Sequence, residues 1–105
     1  MTRGGCTYIM TNKTHGVLYI GVTSELLERA HQHRTKHDPK SFTARYNLDM
    51  LVYYEPWPSI DEAIAREKQL KAGSRAKKVK LIEGMNPEWR DLFDELLREA
   101  ESGSM

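Results

Sequence analysis

The chain has a single cysteine, Cys6, among its 105 residues. That excludes an internal disulfide and suits a reducing compartment, so a cytoplasmic location is the expectation. Cys6 itself reads as a small strand residue. Long apolar runs are also missing. No stretch approaches the ~20 residues a membrane helix needs, so no membrane partner is expected. The opening residues, Met1-Thr2-Arg3-Gly4-Gly5, lack the apolar centre of a secretory leader. Repeats, low-complexity tracts and long linkers are absent. With 39% hydrophobic and 30% charged residues, the chain suits a soluble globular protein. One domain with one modest core is expected over residues 1–100, followed by a flexible tail over 101–105.

Excess charge of either sign is also lacking, since the formal net charge is only +1. That near-balance conceals a split. Residues 1–82 hold 14 Lys/Arg against 8 Asp/Glu, a balance of +6, and residues 83–105 hold 2 against 7, a balance of −5. The first part could present a positive face to a polyanion, and the last part would repel one. Solvated surface is the plainer explanation of either run.

Thr7 to Met10 and Val17 to Val22 read as strands. The turn residues Asn12-Lys13-Thr14-His15-Gly16 lie between them and predict a β-hairpin. If residue 8 stands opposite residue 19, Tyr8 and Tyr19 share a face, and a slip of one residue separates them. Thr23 or Ser24 can cap a helix to about Arg34, with Leu26, Leu27 and Ala30 as its apolar positions. Residues 35 to 47 read as a polar loop holding Pro39, Phe42 and Tyr46. Met50 to Tyr54 is a third strand, ended by Pro56 and Pro58. Ser59-Ile60-Asp61-Glu62 is a capping box opening a helix to about Lys71. A short basic helix follows over Arg75 to Ile82. Asn86-Pro87 then reads as a cap and first-turn proline for a last helix to about Ala100. That helix would pack Trp89, Leu92, Phe93 and Leu96.

Two of these helices carry ionisable residues where apolar ones belong. Arg29 and His33, one turn apart, stand on or beside the apolar stripe of the first helix. Glu67 interrupts the stripe Ile60, Ala63, Ile64, Leu70 of the helix after the third strand. Buried charge is costly unless it is paired or functional, so together with the two tyrosines these residues read as a site.

The same residues resemble the GIY-YIG nuclease domain, specifically its short stand-alone bacterial kind. Tyr19-Ile20-Gly21 preserves the second half of the family's name, and Cys6-Thr7-Tyr8 keeps only the tyrosine of the first half. Further matches are Leu26-x-x-Arg29-x-x-x-His33, Phe42-Thr43-x-x-Tyr46, Leu51-Val52-Tyr53-Tyr54-Glu55, Glu62-Ala63-x-x-x-Glu67-Lys68 and Asn86-Pro87-x-Trp89. Together they span residues 6 to about 93. The resemblance implies an α+β fold, a small three-stranded antiparallel sheet flanked by helices. It also implies metal-dependent hydrolysis of phosphodiester bonds. Tyr8 and Tyr19 match the family's paired tyrosines, Arg29 its arginine and Glu67 its metal-binding glutamate. His33 matches a histidine found in part of the family, and Asn86 an active-site asparagine.

The chemistry fits these residue types. A carboxylate such as Glu67 can anchor Mg²⁺ (or Mn²⁺), with water and substrate oxygens completing the shell. The structural alternative is an ion pair with Lys71 or Arg29. Arg29 offers a fork of donors for a phosphate oxygen, or else pairs with Glu25 or Glu28. Tyr8 is expected to accept a proton from the attacking water, its phenolate favoured by nearby cations, while Tyr19 orients water or phosphate. The reverse order also fits. His33 could relay the proton from Tyr8. The set His31, His33 and His37 is a poor zinc site, because it has no cysteine partner and His31 points away from His33.

Arg34, Lys36, Lys40, Arg45, Lys71, Arg75, Lys77, Lys78 and Lys80 are expected to follow a nucleic-acid backbone. Phe42 and Tyr46 either stack on an exposed base or pack under the loop.

The reading is a metal-dependent endonuclease acting on DNA, RNA not being excluded. Weak sequence selectivity, a preference for single strands or branched structures, or a protein partner that supplies targeting would fit a domain without its own DNA-binding module. Two other readings stand beside it. One is a non-catalytic nucleic-acid- or partner-binding module on the same fold. The other is a protein-interaction domain working through its acidic last helix.

Overall fold

A computed structural model describes residues 4–36 and 38–102. His37 and the last residues of the expected tail, 103–105, lie outside that range, as do residues 1–3. In chain order the elements are β1 (Gly5–Thr11), β2 (Leu18–Thr23), α1 (Leu26–Arg34), α2 (Phe42–Arg45), β3 (Met50–Trp57), α3 (Ile60–Ala72), α4 (Arg75–Met85) and α5 (Phe93–Ser102). The strands form one antiparallel sheet in the order β2-β1-β3. This is the α+β fold the sequence led us to expect.

β1 is buried along its whole length, because both faces of the sheet are covered. On one face Ile9, Ile20, Val52 and Tyr53 pack with Leu70 of α3, Ile82 of α4 and Trp89. On the other, Tyr8, Met10 and Leu51 pack with Ala30 of α1, Leu48 and Leu92, and Phe93 and Leu96 of α5 lean on them. α3 comes very close to β1. A Cβ on Gly5 would lie 2.9 Å from Ala63 Cβ, so the glycine permits the approach. Thr7, fully buried on that face, donates its hydroxyl to Ala63 O at 2.8 Å.

The hairpin register pairs Tyr8 with Gly21 and Met10 with Tyr19. Tyr8 and Tyr19 are therefore diagonal neighbours and not a directly opposed pair, yet they share a face. A bulge between Ile9 and Met10 leaves Val52 as an extra residue in β3. Val52 and Tyr53 consequently join one core cluster and Leu51 the other.

Several boundaries differ from expectation for local reasons. β3 continues through Pro56 to Trp57, because β3 is an edge strand and a missing N–H can face away from the ladder. The expected loop over 35–47 contains one helical turn, α2, whose N-cap Ser41 accepts from Ala44 N at 3.2 Å. Thr23 belongs to β2 and does not cap α1; its hydroxyl instead accepts from Glu25 N at 3.0 Å. Ser59 caps α3 as expected, accepting from Glu62 N at 3.2 Å.

The largest correction concerns residues 86–92. Asn86 ends α4 and does not begin α5, which starts only at Phe93. Asp91 serves that start, accepting from Phe93 N at 3.1 Å. The intervening segment lies along the outer edge of β3. Leu92 N donates to Leu51 O at 2.7 Å and Leu51 N to Asp91 Oδ1 at 3.1 Å. Strand-edge groups are thereby satisfied.

Candidate active site

Tyr8 projects from the central strand toward α1. Its hydroxyl lies 2.9 Å from Nε2 of His33, and Nδ1 of His33 lies 2.9 Å from Oγ1 of Thr43. The rings of Tyr8, Tyr19 and His33 form a compact triangle, with centroids 6.3 Å (Tyr8–Tyr19), 5.8 Å (Tyr8–His33) and 5.6 Å (Tyr19–His33) apart. Gly21 sits beneath it. A Cβ there would come within 2.5 Å of the Tyr8 hydroxyl oxygen, so only glycine leaves that oxygen its room.

A pocket of about 220 Å³ opens beside this triangle. Tyr19, Arg29, Gln32 and His33 form one side, and Asp38, Ser41, Phe42 and Thr43 the other. Tyr8 itself is 1% exposed and lies behind Tyr19 and His33. Arg29 is exposed, which suits a cation meant for a solvent-borne partner. Of the pocket residues, Gln32, Asp38, Ser41 and Thr43 received no role from the sequence. Thr43 was visible in Phe42-Thr43-x-x-Tyr46, and Asp38-Pro39 ahead of Ser41 is a turn-and-cap signal.

Burial keeps both central groups neutral. It pushes the Tyr8 phenol well above the ordinary tyrosine value, Tyr19 and Glu67 push in the same direction, and Arg29 opposes them only in part. The protein groups therefore do not favour a phenolate, contrary to the expectation from nearby cations. His33 falls from 6.5 to about 4, first through burial and then through the neighbouring Arg29. Cys6 is pushed up to about 11 by burial, as fits an inert strand thiol.

Glu67 lies on α3. Its side chain is 17% exposed and its carboxylate pairs with Lys71 at 3.4 Å, the structural alternative weighed from the sequence. Its charge is nevertheless felt at Tyr8. Among the described residues no group of three or more His, Cys, Asp or Glu is arranged to hold a metal ion. A single, largely buried carboxylate already paired with Lys71 is at most one protein ligand, which suits a hard cation that keeps most of its waters, such as Mg²⁺, and not a protein-enclosed site.

Asn86 is not brought to the pocket. It is 1% exposed, and its carboxamide donates to Val52 O (3.2 Å) and Arg90 O (2.7 Å) and accepts from Arg90 N (3.0 Å).

The expected basic track divides. Arg34 pairs with Asp91 and Asp94, each at 3.4 Å, and lies over the Phe93 ring. Arg75 donates to the carbonyls of His15 and Gly16 at 2.9 and 2.6 Å, clamping the hairpin turn. Lys77, Lys78 and Lys80 line a separate groove of about 870 Å³ over Leu70 and Leu81. Lys36, Lys40 and Arg45 are exposed in the segment that carries the pocket's outer wall. From that wall Phe42 stacks toward Tyr19 at 6.2 Å, and Tyr46 meets Phe42 at 4.7 Å.

No curated protein and no solved structure matches the chain. The family model of the GIY-YIG catalytic domain matches residues 4–80, which contain Tyr8, Tyr19, Arg29, His33 and Glu67 and stop short of Asn86. No helix among the described residues is long and apolar enough to cross a membrane. With its three-stranded sheet, flanking helices and paired tyrosines inside the matched span, the chain belongs to the GIY-YIG catalytic domain family, a nuclease superfamily whose substrates are nucleic acids.

Proposed function

We propose that the protein is a divalent-metal-dependent endonuclease that hydrolyses phosphodiester bonds of DNA, with little sequence selectivity and a preference for unpaired strands. The observation that carries this reading is the 2.9 Å contact between the Tyr8 hydroxyl and His33 beside a pocket lined by Tyr19 and Arg29. A proton acceptor, a phosphate-binding cation and an anionic metal anchor are the three parts such hydrolysis needs.

Glu67 would hold Mg²⁺ or Mn²⁺. When bound, the cation would neutralise the phosphate and stabilise the leaving oxygen. Arg29 binds a non-bridging phosphate oxygen at the pocket mouth. Tyr8 is closed off from the pocket in the resting protein, so the attacking water would have to be admitted between Tyr19 and His33 when substrate binds; it then gives a proton to the Tyr8 oxygen as the Tyr8 proton passes to Nε2 of His33. A P–O bond to the water oxygen forms, the P–O bond to the leaving oxygen breaks, and His33 ends as imidazolium. Tyr19, on the pocket wall, orients the water or phosphate.

The preference for unpaired strands is supported by the aromatic ladder Tyr19–Phe42–Tyr46. Phe42 and Tyr46 are 48% and 46% exposed, so each presents surface on which a splayed base can stack. Lys36, Lys40 and Arg45 flank the ladder and suit the backbone of the same strand.

The direct test substitutes each tyrosine by phenylalanine, which keeps the ring and removes the proton carrier. Tyr8→Phe is expected to lower kcat by about 10²–10⁴-fold without weakening substrate binding. A loss confined to Tyr19→Phe would assign the acceptor to Tyr19. Undiminished cutting by both variants would contradict the proton path.

A further inference from the structure

We propose that Thr43 is a positioning residue, whose buried hydroxyl holds His33 in the tautomer that turns the Nε2 lone pair toward the Tyr8 hydroxyl. This rests on the reading of Tyr8 and His33 as the proton path.

Four side chains form one hydrogen-bonded line. Tyr8 meets Nε2 of His33 at 2.9 Å, Nδ1 meets Thr43 Oγ1 at 2.9 Å, and Thr43 Oγ1 meets Ser41 Oγ at 3.2 Å. Two His33 tautomers fit these distances. In the first arrangement, Tyr8 donates to Nε2 and Nδ1–H donates to Thr43, while the Thr43–Ser41 bond can run either way. In the second both His33 bonds are reversed, and the Tyr8 hydroxyl hydrogen loses its acceptor among the described residues. Tyr8 is 1% exposed, so that hydrogen would be buried without a partner. Ser41 is only half-buried, so in the first arrangement its hydroxyl hydrogen can reach water. The first arrangement is therefore favoured, and it leaves His33 ready to receive the proton that Tyr8 releases.

The buried Tyr8 hydroxyl selects this arrangement, and Thr43 supports it by accepting the Nδ1–H that would otherwise lack a partner. Thr43 is 3% exposed, lies in the turn capped by Ser41, and is held by Leu48 N donating to its carbonyl at 2.7 Å. The groups facing the His33 ring are Arg29 from its own helix, Tyr8 and Tyr19 from the sheet, and Asp38 across the pocket. No carboxylate hydrogen-bonds to the ring among the described residues. A neutral hydroxyl thus orients the imidazole without adding charge to it.

The test compares wild type, Thr43→Val and Thr43→Ser in the full chain at pH 7. Long-range ¹H–¹⁵N spectra read the His33 tautomer without substrate, and DNA-cleavage kinetics with Mg²⁺ separate kcat from KM. Wild type is expected in the Nδ1–H form. Thr43→Val is expected to lose that preference and about tenfold to a hundredfold in kcat, KM staying within about twofold, and Thr43→Ser to restore both. An Nε2–H tautomer in wild type would overturn the proposal. So would an unchanged tautomer and kcat in Thr43→Val, or an equal loss in Thr43→Ser, which would mark a packing role. Should Thr43→Val not fold, Thr43→Ala makes the same comparison. Because the tautomer is read without substrate, it decides the positioning claim even if wild type cuts no DNA.

Discussion

At neutral pH His33 carries no charge, and that state has a cost in acid. Its value falls from 6.5 to about 4 on folding, so the unfolded chain binds the proton first as the pH drops. The stability tied to neutral His33 is therefore fully present above pH 6.5 and is lost as the pH falls toward about 4. His33→Gln should flatten the slope of stability against pH across that window, measured by urea midpoints. Equal slopes in both proteins would contradict the burial account. Gly21 makes a second residue-scale case. Gly21→Ala forces a Cβ within 2.5 Å of the Tyr8 oxygen, so Tyr8 or β2 must shift, at about 1–3 kcal/mol of stability by thermal or urea melts. A neutral Gly21→Ala would mean that the hydroxyl relocates freely. The reason for this glycine was not legible in the sequence, because it depends on Tyr8 pairing with Gly21, and a register is set by both strands and their turn.

Among the elements, those with strong local signals were legible. Ser59 before Glu62 announced α3, and the two short strand-like runs around the turn residues 12–16 announced the hairpin. Glu67 stood out because it displaced an apolar residue on a helical stripe, and Arg29 and His33 because they lay on or beside one, although Arg29 proves to be exposed. The segment 86–92 was misread because Asn-Pro is an equally good signal for a turn after a helix as for a cap before one. Tertiary bonds decided between them: Asn86 to Val52, and Leu92 to Leu51. Trp89 enters that turn with φ at 56°, a conformation no propensity would assign to tryptophan. Its ring meets His15 in a tilted pair at 4.8 Å and its indole N–H donates to Glu83 at 2.9 Å. Asn86→Ala is expected to cost about 1–3 kcal/mol, since buried backbone groups lose their partners. The folded fraction should keep its cutting rate per molecule. A variant that melts like wild type yet fails to cut would instead put Asn86 in the chemistry. The ion pairs of Arg34 were likewise not legible, because Asp91 and Asp94 lie 57 or more residues away in sequence and only the fold brings them to it.

Across the whole molecule, the sheet separates two basic regions. Lys36, Lys40 and Arg45 lie in the segment of the tyrosine pocket, and Lys77, Lys78 and Lys80 line the groove formed with α3 and α4. If only the first region follows the substrate, neutralising Lys36, Lys40 and Arg45 should reduce the salt dependence of single-strand binding, while changes at Lys77 and Lys78 should leave it nearly untouched. The opposite pattern would move the substrate to the groove. Removing both Phe42 and Tyr46 should weaken single-strand binding by about tenfold or more and leave duplex binding little changed. The central claim is metal-dependent cleavage, and it stands or falls on Glu67. The decisive measurement incubates wild type and Glu67→Gln with labelled single-stranded, duplex and branched DNA and with RNA, in Mg²⁺, Mn²⁺ or chelator. Wild type is expected to cut with metal and not with chelator, and folded Glu67→Gln to bind as well or better and not cut. Salt-sensitive binding by wild type without cutting in any metal, or equal cutting by Glu67→Gln, would contradict the account.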